Sequence, residues 1–291
     1  MGKNAILFVN NHKKNAAEAA IKIKTELEKR GVEISIFSFD GKPEPLFGES
    51  QFSRRKWDIA FSLGGDGTVL YTARSLSPLG VPILPVNLGT LGFIAEVNMN
   101  DWLDVFLKWD KGELSISRRC MLEISVERDS EIIMKNICLN DAVISYTEIA
   151  KLIKLDVLME SGAGETALGS YRCDGLIVAT PTGSTAYSMA AGGPILDPEM
   201  EAVILNPVCP FALSNRPLVL TSRQTVAITV ASEQRSGVLL TIDGQDTFNL
   251  ECTDRVIVKQ ADHPALLLFA DKHAYYSALR NKLFWSGDAY A

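Results

Sequence analysis

The chain has 291 residues, enough for one large domain or two ordinary ones, and 47% of them are hydrophobic against 22% charged, the balance of a globular protein with a full core. The formal net charge of −6 disfavours a general nucleic-acid binder, which is more often basic, while small anionic ligands remain open because local N–H groups and Mg²⁺ offset global charge. Cys120, Cys138, Cys173, Cys209 and Cys252 are scattered, odd in number and never in Cys-x-x-Cys spacing, so reduced thiols in a cytoplasmic protein are expected rather than a disulfide framework or a zinc site.

The first part alternates strand and helix. Ala5–Val9 reads as a strand at once, with no room for a signal peptide before it. Asn15–Arg30 is predicted as an amphipathic helix with Ala16, Ala19, Ala20, Ile23 and Leu27 on one face and Gly31 as its stop. Val32–Phe39 is a second strand, and Asp40–Ser53, with Gly41, Pro43, Pro45 and Gly48, is a loop. Trp57–Leu63 is a short apolar run, the third strand, and Val81–Val86 is the fourth. A helix is expected from Asn100-Asp101 through Phe106. This is a doubly wound α/β pattern, in which ligands bind beyond the carboxyl ends of the strands.

Near Leu114 the pattern changes. Leu114–Arg128, Glu131–Tyr146, Leu152–Glu160, Leu176–Ala179, Thr225–Ala231, Val238–Ile242 and Arg255–Lys259 read as strands, which predicts an all-β, sandwich-like second domain. Gly112 is the expected boundary, giving an α/β domain over 1–112 and a β-rich domain over 113–270. The tail from Lys272 to Trp285 reads as a helix in 271–291 that folds back on the first domain. No apolar run approaches membrane-spanning length.

The third strand runs into Leu63-Gly64-Gly65-Asp66-Gly67-Thr68-Val69-Leu70, and Val69, Leu70, Ala73 and Leu76 then share a helical face. Strand, glycine turn and helix start suit phosphate: Gly64, Gly65 and Gly67 let the backbone approach an anion, and free N–H groups through Thr68 point at it. A carboxylate there repels phosphate. It makes sense if Asp66 binds Mg²⁺ or takes a proton from an attacking hydroxyl, and otherwise as a cap on the helix. The turn is neither a Walker A loop nor a Gly-x-Gly-x-x-Gly fingerprint.

Three further stretches stand out. Asn87-Leu88-Gly89-Thr90-Leu91-Gly92-Phe93 follows the fourth strand. Asn140-Asp141 interrupts the apolar run Ile137–Ile144, either as a polar pair that a ligand satisfies or as a bulge or solvated edge. Asp174-Gly175-Leu176-Ile177-Val178-Ala179-Thr180-Pro181-Thr182-Gly183-Ser184-Thr185-Ala186-Tyr187 is an apolar strand ending in hydroxyls, from which a helix capped by Ser184 or Thr185 is expected to run to Ala190–Pro194.

In order and spacing these stretches, with Ala191-Gly192-Gly193-Pro194-Ile195 and Asp243-Gly244-Gln245, resemble the NAD kinase family over essentially the whole chain. Glycine-aspartate turns also occur in phosphofructokinases and diacylglycerol kinases, so a lipid or sugar kinase and a non-catalytic dinucleotide sensor are the rival readings. The resemblance implies a phosphofructokinase-like first domain and Mg²⁺-dependent transfer of a phosphoryl group from ATP, or polyphosphate, to the 2′-hydroxyl of the adenosine ribose of NAD, giving NADP. It implies that Asp66 activates that hydroxyl, that the Asp66-Gly67 turn and Asn140, Asp141, Asp174, Thr185, Ala186, Tyr187 and Ser188 hold NAD, and that Lys151, Arg172 and Gln245 are further contacts. It implies Mg²⁺ held largely through the donor phosphates, and self-association to a dimer or tetramer. Asp141 departs from the family's more frequent Glu, Ala190 from serine, and Phe211 from histidine.

Overall fold

The computed structural model describes residues 2–41, 51–89, 92–147, 152–161, 164–212, 214–234, 237–269 and 274–283. Two compact units emerge. The first gathers the described parts of Met1–Glu44, Gln51–Arg118 and Ala265–Ala291, and the second is Arg119–Pro264. The change of unit thus falls after Arg118, beyond Gly112.

In chain order the first unit holds β1 (Asn4–Asn10), α1 (Ala16–Glu28), β2 (Glu33–Phe39), β3 (Ile59–Gly64), α2 (Asp66–Leu76), β4 (Pro82–Asn87), β5 (Val97–Asn98), α3 (Trp102–Asp110) and β6 (Ile116–Arg119). The second holds β7 (Leu122–Arg128), β8 (Glu131–Cys138), β9 (Asp141–Tyr146), β10 (Ile153–Ser161), β11 (Gly164–Cys173), β12 (Gly175–Ala179), α4 (Tyr187–Ala190), β13 (Ala202–Val208), β14 (Leu218–Thr221), β15 (Thr225–Val230), β16 (Val238–Ile242), β17 (Asp246–Leu250) and β18 (Arg255–Gln260). The chain then returns to the first unit with β19 (Ala265–Leu268) and α5 (Ala274–Leu283).

The sheet of the first unit runs β2-β1-β3-β4-β19-β6, and β1 pairs parallel with β2 and β3, β3 with β4, and β4 with β19. Side chains alternate across it. Leu7, Val9, Phe61 and Leu63 pack with Ala16, Ala20, Ile23 and Leu27 of α1 and Trp102, Val105 and Phe106 of α3. Phe8 faces the other way and meets Tyr71 of α2 edge-on at 6.1 Å between ring centres. Ile23 and Leu27 are fully buried, each worth roughly 1.5–3 kcal/mol, so burial of this stripe rather than a cap holds α1 in place. Gly31 ends it in the left-handed region at φ 75°.

The second unit consists of two six-stranded sheets, β11-β10-β15-β18-β7-β8 and β14-β13-β12-β9-β16-β17. Both contribute to one core, with Ile124, Leu155 and Ile228 from the first and Ile144, Leu176 and Leu240 from the second.

Several expectations are corrected. The run Leu114–Arg128 is two strands, β6 in the first sheet and β7 in the second unit. Glu131–Tyr146 is also two, β8 and β9, and the break at Leu139-Asn140 carries the chain from one six-stranded sheet to the other, so Asn140-Asp141 is neither a bulge nor a solvated edge. The helix expected after Thr185 is only the four-residue α4, preceded by a tight 3-10 turn over Thr182–Thr185, and no side chain caps it. Pro43, Pro45 and Gly48 of the expected loop, Thr90, Leu91, and both ends of the tail helix over Lys272–Trp285 lie outside the described residues.

Candidate active site

In the first unit β3 delivers the chain into the glycine turn, and α2 starts at Asp66 itself, not after Thr68. Gly65 takes the N-cap place in extended geometry, with no side-chain capping bond among the described residues. A Cβ on Gly64 would lie 2.1 Å from Thr68 Oγ1, so only glycine lets the turn close onto the helix. Thr68 is buried, and its hydroxyl has no hydrogen-bond partner among the described residues.

The Asp66 carboxylate reaches away from its own helix. The Phe93 N–H donates to Oδ2 at 2.9 Å, and the Ile94 and Ala95 N–H groups donate to Oδ1 at 3.2 and 2.9 Å. The glycine-rich stretch after β4 is therefore the second half of this site, and the Leu88 N–H donates to Gly64 O at 2.9 Å to tie the two loops together. Asp66 is partly exposed.

In the second unit, Asn140 and the Thr180–Thr185 stretch, forty residues apart in sequence, come together because β9 and β12 are neighbours. The Thr180 N–H donates to Asn140 O at 2.8 Å, Thr180 Oγ1 donates to Leu139 O at 2.5 Å, and the Gly183 N–H donates back to Thr180 Oγ1 at 3.0 Å. A Cβ on Gly183 would sit 2.1 Å from Asn140 O, so this contact also demands glycine.

The crossing at Leu139–Asp141 is held from a third place. Asp243 accepts the N–H groups of Leu139, Asn140 and Asp141 at 3.0, 2.7 and 3.1 Å, and its own N–H donates to Asp141 O at 2.9 Å. Asp243 and Gly244 form the turn between β16 and β17 with φ 51° and 65°, the left-handed pair expected of an Asp-Gly hairpin. The role of Asp243 escapes sequence reading, although the Asp-Gly pair between two apolar runs signals the turn.

A cavity of about 570 Å³ opens here, with Asn140, Asp141, Asp174, Ala186, Tyr187 and Asp243 on its wall, and its volume suits a nucleotide-sized ligand. Tyr187 is exposed toward solvent. The Asn140 side-chain oxygen is buried without a partner among the described residues. Burial, reinforced by the charge of Asp243, pushes the Asp141 carboxyl up to about 7.

Other expected contacts lie elsewhere. Thr185 is buried, its hydroxyl donating to Thr182 O at 3.2 Å. Ser188 is fully buried and accepts from Asn206 Nδ2 at 2.9 Å through its carbonyl. Arg172 lies over the Phe211 ring at 5.1 Å, off the cavity wall, as is Gln245. Lys151 is outside the described residues.

A carboxylate set on a glycine turn at a helix start, with a cavity of nucleotide size in a second, β-rich unit, defines a nucleotide-binding protein equipped for phosphoryl transfer. Residues 5–108 match the model of the ATP-NAD kinase N-terminal domain, and residues 139–269 that of the ATP-NAD kinase C-terminal domain. The chain is 38% identical over 287 residues to the NAD kinase of Treponema denticola, covering 99% of this chain and 98% of that one. It is 41% identical over 228 residues to the NAD kinase of Geobacter sulfurreducens, covering 78% of each. The chain belongs to the NAD kinase family and is an enzyme, a kinase. Its fold is shared with a yeast NADH kinase crystallised with NADH, at TM-score 0.85 and 24% identity over 98% of this chain and 88% of that one. It is shared as well with an NAD kinase from Archaeoglobus fulgidus in complex with ATP, at 0.70 and 22% over 94% and 96%.

Proposed function

We propose that this enzyme transfers the terminal phosphoryl group of ATP to the 2′-hydroxyl of the adenosine ribose of NAD, giving NADP. The observation that carries the acceptor half is the 570 Å³ cavity, whose wall gathers Asn140, Asp141, Asp174 and Tyr187. A few convergent polar side chains on a cavity of this size suit a ligand with N–H and O–H groups. Asn140, Asp141, Asp174, Ala186 and Tyr187 hold NAD in this reading, with Thr185 and Ser188 shaping the turn behind them. Arg172, Lys151 and Gln245 remain as contacts proposed from the family pattern.

Gly64, Gly65, Gly67 and Thr68 receive the donor phosphates, and polyphosphate is an alternative donor because the turn recognises phosphate rather than a base. Asp66 orients the attacking hydroxyl and accepts its proton. Among the described residues no cluster of His, Cys, Asp or Glu forms a metal cage. In this reading Mg²⁺ would be held largely through the donor phosphates, its usual mode at phosphoryl-transfer sites, and Asp66 would be its carboxylate ligand only if it is not the base. When bound, Mg²⁺ neutralises phosphate charge.

The doubly wound reading of the first unit rests on its β2-β1-β3-β4 parallel order. Self-association to a dimer or tetramer and a cytoplasmic location complete the proposal; all five cysteines are free, as reducing conditions would leave them. No described helix is long and apolar enough to cross a membrane. The test is turnover of NAD with ATP or polyphosphate and Mg²⁺, read as NADP. Folded protein that binds NAD but forms no NADP with any donor overturns the catalytic reading and leaves a dinucleotide sensor.

A further inference from the structure

We propose that residues 92–95 are the positioning element of the catalytic carboxylate, and that Gly92 is a glycine because a side chain there would occupy the place of Asp66. The proposal rests on the reading that Asp66 acts on the attacking hydroxyl.

Asp66 is the first residue of α2, so the helix fixes its Cα but not its carboxylate. The carboxylate is fixed by the three N–H groups of Phe93, Ile94 and Ala95. Hydrogen bonds to an ionised acceptor are the stronger kind. An ionised carboxylate has about four lone-pair positions, two on each oxygen. Ile94 and Ala95 fill both on Oδ1, and Phe93 fills one on Oδ2. One position is left, on Oδ2, so Oδ2 is the oxygen that meets the hydroxyl. A cation at Asp66 would be confined to the same single position.

The segment that supplies the three donors is itself tethered. Asn87 Nδ2 donates to Ala95 O at 2.9 Å, and the Gly89 N–H donates to Asn87 Oδ1 at 2.7 Å. From α5, Lys282 Nζ lies 4.4 Å from the centre of the Phe93 ring. The loop therefore does not simply yield if the carboxylate is pushed.

Gly92 is where the push would come from. A Cβ built there would lie 1.8 Å from Asp66 Oδ1, 2.5 Å from Cγ and 2.7 Å from Oδ2, all under the 3.0 Å that real Cβ atoms respect. The Asp66 side chain is too short to swing aside and keep its three donors. Gly92→Ala therefore moves the carboxylate without changing its chemistry.

The experiment is a double-mutant cycle in the full-length enzyme with Gly92→Ala, Asp66→Asn and the pair, reading kcat and calorimetric NAD affinity. Gly92→Ala is expected to lower kcat about tenfold or more with NAD affinity changed far less, because misplaced catalytic groups cost rate rather than uniform binding. The double variant is expected to match Asp66→Asn within about twofold, since two residues acting through one carboxylate are not additive. A Gly92→Ala kcat near wild type, or a double variant slower by the product of the single effects, overturns the proposal. Asp66→Asn with near-wild-type kcat overturns instead the underlying reading of Asp66. Should Gly92→Ala not fold, replacing the Ala95 amide by an ester removes one donor to Oδ1 and adds no bulk. A lowered kcat supports the positioning role, and an unchanged kcat overturns it.

Discussion

Asp66 in the first unit and Asp243 in the second each accept three backbone N–H groups from a segment remote in sequence, all within 2.7–3.2 Å. Their surroundings differ. Asp243 is 6% exposed, sits in the left-handed turn of a hairpin, and gives its own N–H back to the strand it holds. Asp66 is partly exposed at the start of an eleven-residue helix. One carboxylate spends itself on structure, making the bend that sets Asn140 on a cavity wall. The other is held as firmly but belongs to a residue that stays partly exposed. Exposure of the residue, not the number of hydrogen bonds, is what separates the two carboxylates.

The contrast is tested first at Asp66. Asp66→Asn leaves a carbonyl for the Ile94 and Ala95 N–H groups and loses the Phe93 bond, so folding should lose about 1–3 kcal/mol. As a general base, Asp66 should show a fall in kcat of about 10²–10⁴ on this change, with NAD affinity much less affected. The decisive measurement is kcat against Mg²⁺ concentration. Recovery to near wild type at saturating Mg²⁺ would make Asp66 a metal ligand instead.

At Asp243 the same loss should fall on stability. Asp243→Ala strips three N–H groups of their acceptor, each costing about 1–3 kcal/mol if left buried and unpaired, so a loss of about 3 kcal/mol or more is expected in urea unfolding. NAD affinity should fall with it, because Asn140 and Asp141 hang from the same bend. Should Asp243→Ala cost no more stability than Asp66→Asn, the two carboxylates are not the different devices described above.

Much of the first unit is legible in sequence because its signals are side-chain patterns. The α1 face, Gly31 and the glycine turn at the end of β3 follow from apolar spacing and glycine chemistry. The break at Leu139-Asn140 is not legible, because apolar residues on either side read as one strand while the chain changes sheets. Strand β11, Gly164–Cys173, is a largely exposed edge strand with few buried side chains, so no alternation announces it. The short α4 is missed for a related reason. Ser184 looks like a cap, yet its hydroxyl accepts the Leu196 N–H at 3.0 Å. Most of the site-building bonds, at Asp66, Asp243 and Thr180, go to backbone groups, and backbone partners leave no mark in composition or spacing.

Asn140 sharpens the comparison from the ligand side. Asn140→Ala leaves the three N–H bonds to Asp243 intact, because they are backbone bonds, and removes only the side chain on the cavity wall. NAD affinity should weaken by about 1–3 kcal/mol in calorimetry, with urea unfolding nearly unchanged. An unaltered affinity would make this residue part of the Asp243 scaffold rather than of the binding wall.

The smallest effect expected per step of the variable is in pH, and it reads the charge of Asp243 through its neighbour. Asp141 is held up to about 7 in the folded protein, by burial first and by Asp243 second, against an ordinary value of 3.8. The folded state therefore holds a proton there that the unfolded chain has released, across the window from about 4 to 7. The contribution is fully present below the ordinary value and is lost as pH rises through about 7, so stability should fall with rising pH by at most about 1.4 kcal/mol per unit in that window. The slope should vanish in Asp141→Asn. It should shrink but persist in Asp243→Asn, which removes the repelling charge and leaves burial. Urea unfolding of the three proteins across that window gives the answer. An Asp141→Asn protein with the wild-type slope would place the titration on another group, and an Asp243→Asn protein with no slope would make repulsion, not burial, the main cause.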